Sequence, residues 1–110
     1  MKEHYAYFIE KSSVLIRKLI SGEGTAKQRL LECEIEIILA LATHIPEDLK
    51  QKRENILKSL NKKNEIKHGD KVSITSFRHT LVYMKNKTAA KIILEIYDLY
   101  SEVLFRDRFN

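Results

Sequence analysis

The chain has few of the residues that interrupt or cross-link a fold. One proline and three glycines in 110 residues leave too few turns for an all-β fold, which needs a turn about every 8 to 12 residues. The single cysteine, Cys33, excludes an intramolecular disulfide framework and fits a reducing compartment. The longest apolar run, residues 37–42, is far shorter than the roughly 20 residues that cross a bilayer.

The first residues of the chain also lack a targeting pattern. They do not show the charged segment followed by an apolar one that is typical of a secretory signal peptide. We therefore expect a cytoplasmic protein with no membrane partner. An apolar content of 44% argues against wholesale disorder, because such a chain can bury a core.

Helix-forming residues are abundant instead. Their spacing predicts five helices, at about 3–20, 26–43, 46–61, 73–85 and 89–105. Short connections favour antiparallel neighbours, so the sequence predicts an all-α fold, a compact up-and-down bundle of four to five helices. We expect a single domain over residues 1–110, in which the polar segment 61–72 is a loop that joins a three-helix part to a two-helix part.

The second predicted helix is the most apolar one. Thr25, with Gln28 three residues later, predicts a capping box at its start. Its apolar side chains cover more than half of its circumference, which predicts the central and most buried helix of the bundle. Glu34 falls inside this apolar arc, and Arg53 falls inside the apolar arc of the next helix. Because an unpaired buried charge is costly, we predict a partly buried ion pair between these two residues, with a structural role.

Positive charge is concentrated in the middle of the chain. Residues 50–71 contain eight basic and three acidic side chains, and residues 72–94 contain four basic and no acidic ones. The candidate basic surface consists of Lys58, Lys62, Lys63, Lys67, Lys71, Lys85 and Lys87. A cluster on one face would indicate nucleic-acid binding, whereas scattered lysines would only be a solvated surface. The excess of lysine over arginine argues against base-specific contacts.

Some large residues point away from the predicted core faces. They are Arg78, His79, Val82 and Tyr83 on the fourth predicted helix, and Tyr7 and Val14 on the first. Tyrosine and arginine are enriched at the centres of protein interfaces, so both groups are candidate interfaces. Singly exposed apolar residues are also normal in soluble proteins, and that reading stays open.

No residue pattern indicates catalysis or a bound cofactor. The four histidines are scattered and no second cysteine is present, so neither a metal site nor another cofactor is expected. The preferred interpretation is a small non-enzymatic protein–protein interaction module of the adaptor, inhibitor or immunity type, bound to a protein partner or to a second copy. A basic nucleic-acid-binding accessory protein is the second interpretation, and a small enzyme is the third.

Overall fold

Helices account for most of the structure, because apolar residues recur at helical spacing along most of the chain. The computed structural model describes residues 4–109. Its helices are α1 (Ala6–Ser21), α2 (Ala26–Glu32), α3 (Glu34–Leu41), α4 (Lys50–Leu60), α5 (Ser76–Val82) and α6 (Asn86–Phe109), with a 3-10 turn at Glu47–Leu49. The predicted all-α bundle is confirmed. The predicted helix start at residue 3 lies outside the described residues, and α1 begins at Ala6.

The hydrophobic core takes side chains from all six of these helices. α1 packs against α3 and α6, and α2 also packs against α6. The longest helix, α6, presents the core face that its spacing predicts, which consists of Ala89, Ile92, Ile96, Leu99 and Val103. It extends past both ends of the predicted range 89–105. Near its C-terminal end, Arg106 forms an ion pair with Glu102 of the same helix and another with Asp48, which links the last turns of α6 to the 3-10 turn that precedes α4.

The predicted second helix is two helices with a break at Cys33. The capping box of Thr25 and Gln28 is present at the start of α2. At Cys33 the backbone leaves the helical region, with φ −102° and ψ 17°, and its amide donates to the carbonyl of Leu30 at 3.1 Å. The Cys33 side chain is buried, and burial raises the pKa of its thiol.

The break overturns the expectation that this is the most buried helix. The main packing partner of α3 is α1, so one face of α3 is covered and the rest faces solvent. Ile35, Ile38 and Leu39 are accordingly exposed, at 69%, 50% and 53%. The apolar arc was wide because α3 by itself is apolar on nearly all sides, while only the side with Ile37, Ala40 and Leu41 is covered.

The segment predicted as a polar loop contains an antiparallel hairpin. Strand β1 (Ile66–His68) pairs with β2 (Lys71–Ile74), and Gly69 in the turn has φ +64°, a conformation that glycine adopts without strain. All residues of both strands are exposed. The fourth predicted helix is therefore shorter than 73–85. It starts at Ser76, because the hydroxyl of Thr75 accepts from the amide of Arg78 at 3.1 Å and caps the helix.

Glu34 is buried, as predicted, but its partner is not Arg53. Its carboxylate accepts from Arg78 Nε at 2.8 Å and from Thr75 Oγ1 at 2.8 Å. Arg53 instead donates from Nη1 to the carbonyl of Thr43 at 2.8 Å. The prediction was wrong because the break between α2 and α3 turns Glu34 toward the start of α5 and away from α4. The bond to the capping hydroxyl fixes α5, and with it the hairpin, against α3.

Candidate functional site

Two surfaces of the described chain have the exposed apolar area or the concentrated charge that a binding site requires. Among residues 4–109, no group of three His, Cys, Asp or Glu side chains could hold a metal ion. Nor does this part of the chain contain a helix with the length and apolar content needed to cross a membrane. The two surfaces are an apolar stripe along α6 and a lysine-lined cleft between α4, α5 and the start of α6.

The apolar stripe consists of exposed side chains on α6 and one on α1. Its members are Ile20, Leu94, Tyr97, Phe105 and Phe109, with exposed fractions of 67%, 62%, 46%, 61% and 72%. Between the two helices lies a groove of about 240 Å³, and the residues that line it are all apolar: Ile16, Leu19, Ile20, Ile93, Leu94 and Tyr97. The rings of Phe105 and Phe109 are in contact, with centroids 4.9 Å apart.

Helical geometry explains why these side chains cannot reach the core. At about 100° per residue, Leu94 and Phe105 lie within roughly 20° of each other and opposite the buried Val103. From Leu94 to Phe109 the stripe is about 22 Å long at 1.5 Å per residue. α6 therefore carries exposed apolar side chains opposite its core face, with Asp98 and Ser101 between Leu94 and Phe105.

The stripe is large for a protein of this size. With roughly 150–250 Å² per large side chain, its exposed fractions amount to a total area on the order of 450–750 Å², divided along the helix by Asp98 and Ser101. This is at the upper end of the roughly 300–600 Å² that the largest apolar patch of a monomeric protein covers. The spacing of the apolar residues at 89–105 predicts a single buried face for this helix, so the stripe was not predicted. The signal was present in the spacing of Leu94, Tyr97 and Phe105.

The interface residues predicted on α1 are exposed. Tyr7 is 70% exposed and Val14 is 49% exposed. Val14 and Leu39 line a shallow groove between α1 and α3, but Glu10, Lys11 and Glu36 line it as well, so this surface is charged. Tyr7 and Val14 lie outside the groove between α1 and α6, and their use as an interface stays a prediction.

The second predicted interface is partly engaged within the protein. Val82 is 55% exposed and Tyr83 is 69% exposed. Arg78, however, is bonded to Glu34, and His79 Nδ1 lies 2.6 Å from the carbonyl oxygen of Asn64. The His79 ring also contacts the edge of the Tyr83 ring. Arg78 is nevertheless largely exposed, like Val82 and Tyr83, and the use of this face as an interface stays a prediction.

The lysine cleft gathers part of the predicted basic surface. It has a volume of about 410 Å³, and its lining residues are Ser59, Lys62, Lys63, Thr80, Tyr83, Met84, Lys85 and Thr88. The chain folds this way because the segment after α4 is bonded to α5. The amide of Lys63 donates to Thr80 Oγ1 at 2.9 Å, and Ser76 Oγ donates to the carbonyl of Lys63 at 2.6 Å. Lys63 Nζ lies over the Tyr83 ring, 4.8 Å from its centroid.

The remaining predicted basic residues do not line this cleft. Lys67 and Lys71 lie on the hairpin, where Glu65 and Asp70 balance their charge, and Lys67 Nζ is 3.3 Å from a Glu65 oxygen. Lys58 and Lys87 are exposed but are not among the lining residues. Of the seven lysines of the predicted basic surface, three thus line the cleft, two lie on a hairpin with balanced charge, and two are exposed elsewhere.

Comparisons with protein-family models, with curated proteins and with solved structures give no significant match to this chain. The case for a function therefore depends on the two surfaces alone.

Proposed function

We propose that this protein is a protein–protein interaction module whose partner is a second copy of the same chain, docked through the apolar stripe. The observation that carries the proposal is the row of exposed apolar side chains on α6, which a soluble monomer would leave in water. Pairing it with another copy removes it from water, and apolar burial is the main favourable term in association. The proposal includes a cytoplasmic location, which the lone buried thiol of Cys33 supports.

The charge distribution favours self-pairing through this face. α6 contains four basic and four acidic side chains, so two copies of the helix carry no net repulsion. The net charge of +5 of the chain therefore comes from residues outside α6. In a two-fold symmetric interface the same patch meets itself. Leu94, Tyr97 and Phe105 are uncharged, whereas the exposed Asp98 lies about 20° from Phe105 around α6 and would face the same contact, where Arg or Lys of the other copy must balance it.

The size of the stripe sets the expected affinity. Two copies would bury on the order of 900–1,500 Å² of stripe in total, which is near the lower limit for a specific interface. Part of the hydrophobic gain offsets the lost translational and rotational freedom of the two molecules. We therefore expect a weak dimer with a dissociation constant in the micromolar range.

Sedimentation equilibrium over about 1 to 200 µM protein tests the proposal, since this range brackets a micromolar dissociation constant. The wild-type chain should change from monomer to dimer across the range. Leu94→Asp should keep it monomeric throughout, because a carboxylate would be buried without a partner at the interface. Tyr83→Asp, at a comparably exposed position outside the stripe, is the matched control and should dimerise like the wild type.

Two results would overturn the proposal. One is a wild-type chain that stays monomeric at the highest concentration. The other is an equal loss of dimer in Leu94→Asp and Tyr83→Asp, which would place the contact elsewhere. Far-UV circular dichroism of each variant shows whether the helical fold is intact, and both substituted side chains are exposed enough for this to be expected.

A further inference from the structure

The lysine cleft holds positive charge that no carboxylate in the described part of the chain balances in an ion pair. We propose that this cleft binds a nucleotide through its phosphate and its base, either as a free nucleotide or as one unit of a single-stranded nucleic acid. The site is separate from the apolar stripe. Thr88 of the cleft and Tyr97 of the stripe lie about 180° apart around α6, so the two surfaces can act independently.

Three lysines line the cleft, and none of them forms an ion pair with another residue of the range 4–109. Lys62, Lys63 and Lys85 line it, and none of its lining residues within the described chain is acidic. Three lysines elsewhere do have partners, since Lys18, Lys50 and Lys67 each pair with a glutamate. Like charges in a concave site strengthen the local potential, and a phosphate is the kind of anion that such a potential attracts.

The start of α6 adds to this potential. The first amides of a helix have no acceptor within the helix and carry a partial positive charge. Lys85 directly precedes this helix and has no side-chain oxygen with which to cap those amides. The Thr88 hydroxyl lines the cleft on the first turn and can donate to a phosphate oxygen. The helix end supports the three lysines and would not define a site without them.

Tyr83 supplies the surface for a base. It is 69% exposed at the mouth of the cleft, and the ammonium of Lys63 lies over its ring. A phosphate that attracts Lys63 would free this face, and a base could then stack on it, as in other sites that bind single strands. The volume of about 410 Å³ lies within the roughly 300–1,000 Å³ that is usual for small-ligand sites.

A single strand suits the cleft better than a duplex does. Reading a duplex requires an element that projects into the major groove, whereas these lysines line a concavity. Glu95, Asp98 and Glu102 lie on the outer side of α6 and would repel the phosphates of a duplex laid along the helix. An unpaired base, by contrast, has a free face for Tyr83.

Fluorescence anisotropy with a labelled strand of ten thymidines tests the proposal, at salt concentrations from about 50 to 200 mM. A single strand releases about 0.7 counterion per phosphate contact, so three lysines predict a slope near −2 for log affinity against log salt. That slope corresponds to a loss of about twentyfold over this range. A duplex of the same length should bind more weakly than the single strand.

Charge-matched variants separate the cleft from general surface charge. The triple variant Lys62→Gln, Lys63→Gln, Lys85→Gln should bind at least about tenfold more weakly and lose most of the salt slope. The control Lys11→Gln, Lys67→Gln, Lys71→Gln removes the same number of charges elsewhere and should stay within about twofold of wild type. Tyr83→Leu should weaken binding about tenfold without changing the slope, because it removes stacking and no charge.

Titration calorimetry with thymidine monophosphate identifies the source of the nucleotide. If the monophosphate binds as tightly as the strand, the ligand of the cleft is a free nucleotide. If only the strand binds, the ligand is a single-stranded nucleic acid. Both results support the site. Absence of binding by both probes overturns the proposal. So does an equal loss in the two triple variants, or tighter binding of the duplex. None of these results depends on whether the chain dimerises.

Discussion

The apolar stripe and the lysine cleft both involve α6 but differ in how they are built. The stripe comes from the periodicity of one helix and a single neighbour, Ile20, so its position follows from local geometry. The cleft brings together residues from the end of α4, from α5 and from the start of α6, and hydrogen bonds at Thr80 and Ser76 hold it together. An exposed face of one helix can thus arise from sequence spacing alone, whereas a concentrated charge site needs tertiary contacts.

The largest expected effect is a difference in the free energy of unfolding between a substitution on the core face of α6 and one on the stripe. Leu99→Ala on the core face should lower the free energy of unfolding by about 2–5 kcal/mol, because it removes buried methyl groups and leaves a cavity. Leu94→Ala on the stripe should change it by less than about 0.5 kcal/mol in the monomer. Urea unfolding at a protein concentration below the dimer range measures both. Equal losses would mean that the stripe is part of the core.

A change of salt concentration should affect strand binding at the cleft and dimerisation through the stripe differently. Raising sodium chloride tenfold, from about 50 to 500 mM, should weaken strand binding at the cleft by about a hundredfold, because bound counterions are released at three contacts. Dimerisation through the stripe should be unchanged or slightly stronger, since apolar burial is not screened by salt. The two titrations can be run on one preparation. A dimer that dissociates in high salt would indicate an electrostatic interface.

Glu34, Thr75 and Arg78 form a hydrogen-bonded cluster, the Glu34 cluster. It links α3 to α5, the helix that Tyr83 directly follows. Glu34→Ala removes two hydrogen bonds, one of them to the charged Arg78, and should lower the free energy of unfolding by about 1–2 kcal/mol. Arg78 is largely exposed, so water can solvate it once its partner is lost, and the cost stays modest. Glu32→Ala, at an exposed position two residues earlier, is the control and should have little effect.

The same Glu34 variant should affect the two surfaces unequally. Loosening α5 should weaken strand binding by a few-fold, whereas the stripe on α1 and α6 should dimerise as in the wild type. An equal effect of Glu34→Ala and Glu32→Ala on stability would contradict the structural role of this cluster. Chemical unfolding and anisotropy measured on the same samples check both expectations.

The smallest expected effect concerns pH and the link between α1 and α3. The hydrogen bond from Lys18 holds the pKa of the Glu36 carboxyl below its ordinary value of 4.5. A lowered pKa in the folded state means that the contribution to stability is present above about pH 4.5 and is lost as the pH falls through the folded-state pKa. Lys18→Met should raise the pKa of Glu36 toward its ordinary value in a carbon-detected NMR titration.

Lys11→Met is the matched change for this titration, because Lys11 lies on the same helix and lines the same groove as Glu36. It should leave the pKa of Glu36 lowered. A Glu36 pKa at its ordinary value in the wild type would show that the ion pair is not populated in solution.

Helix periodicity predicted the fold class and the core face of α6, because both depend on local spacing. It did not predict the break at Cys33, where the backbone departs from the helix without a glycine or proline to mark the position. That break changed the partner of Glu34 and exposed Ile35 on α3. The hairpin was missed because its strands are short and exposed and so lack a buried alternating pattern.

For the candidate sites, too, the sequence predicted what depends on local spacing and not what depends on tertiary contacts. Exposure of Tyr7, Val14 and Tyr83 followed from counting positions around a helix. The presence of Lys62, Lys63 and Lys85 in one cleft could not be predicted in this way, because it depends on where the segment after α4 is bonded to α5. Lys67 and Lys71 are close to them in sequence but point along a hairpin that carries its own acidic residues.

By itself, the sequence determined that this chain forms helices with a buried face and that its middle is basic. Both properties depend on residue types and their local spacing, and so they do not depend on tertiary contacts. Tertiary structure alone decided which charges meet, which apolar face stays in water and which partner a buried glutamate finds. These depend on distances between distant parts of the chain, and one break in a helix is enough to change them.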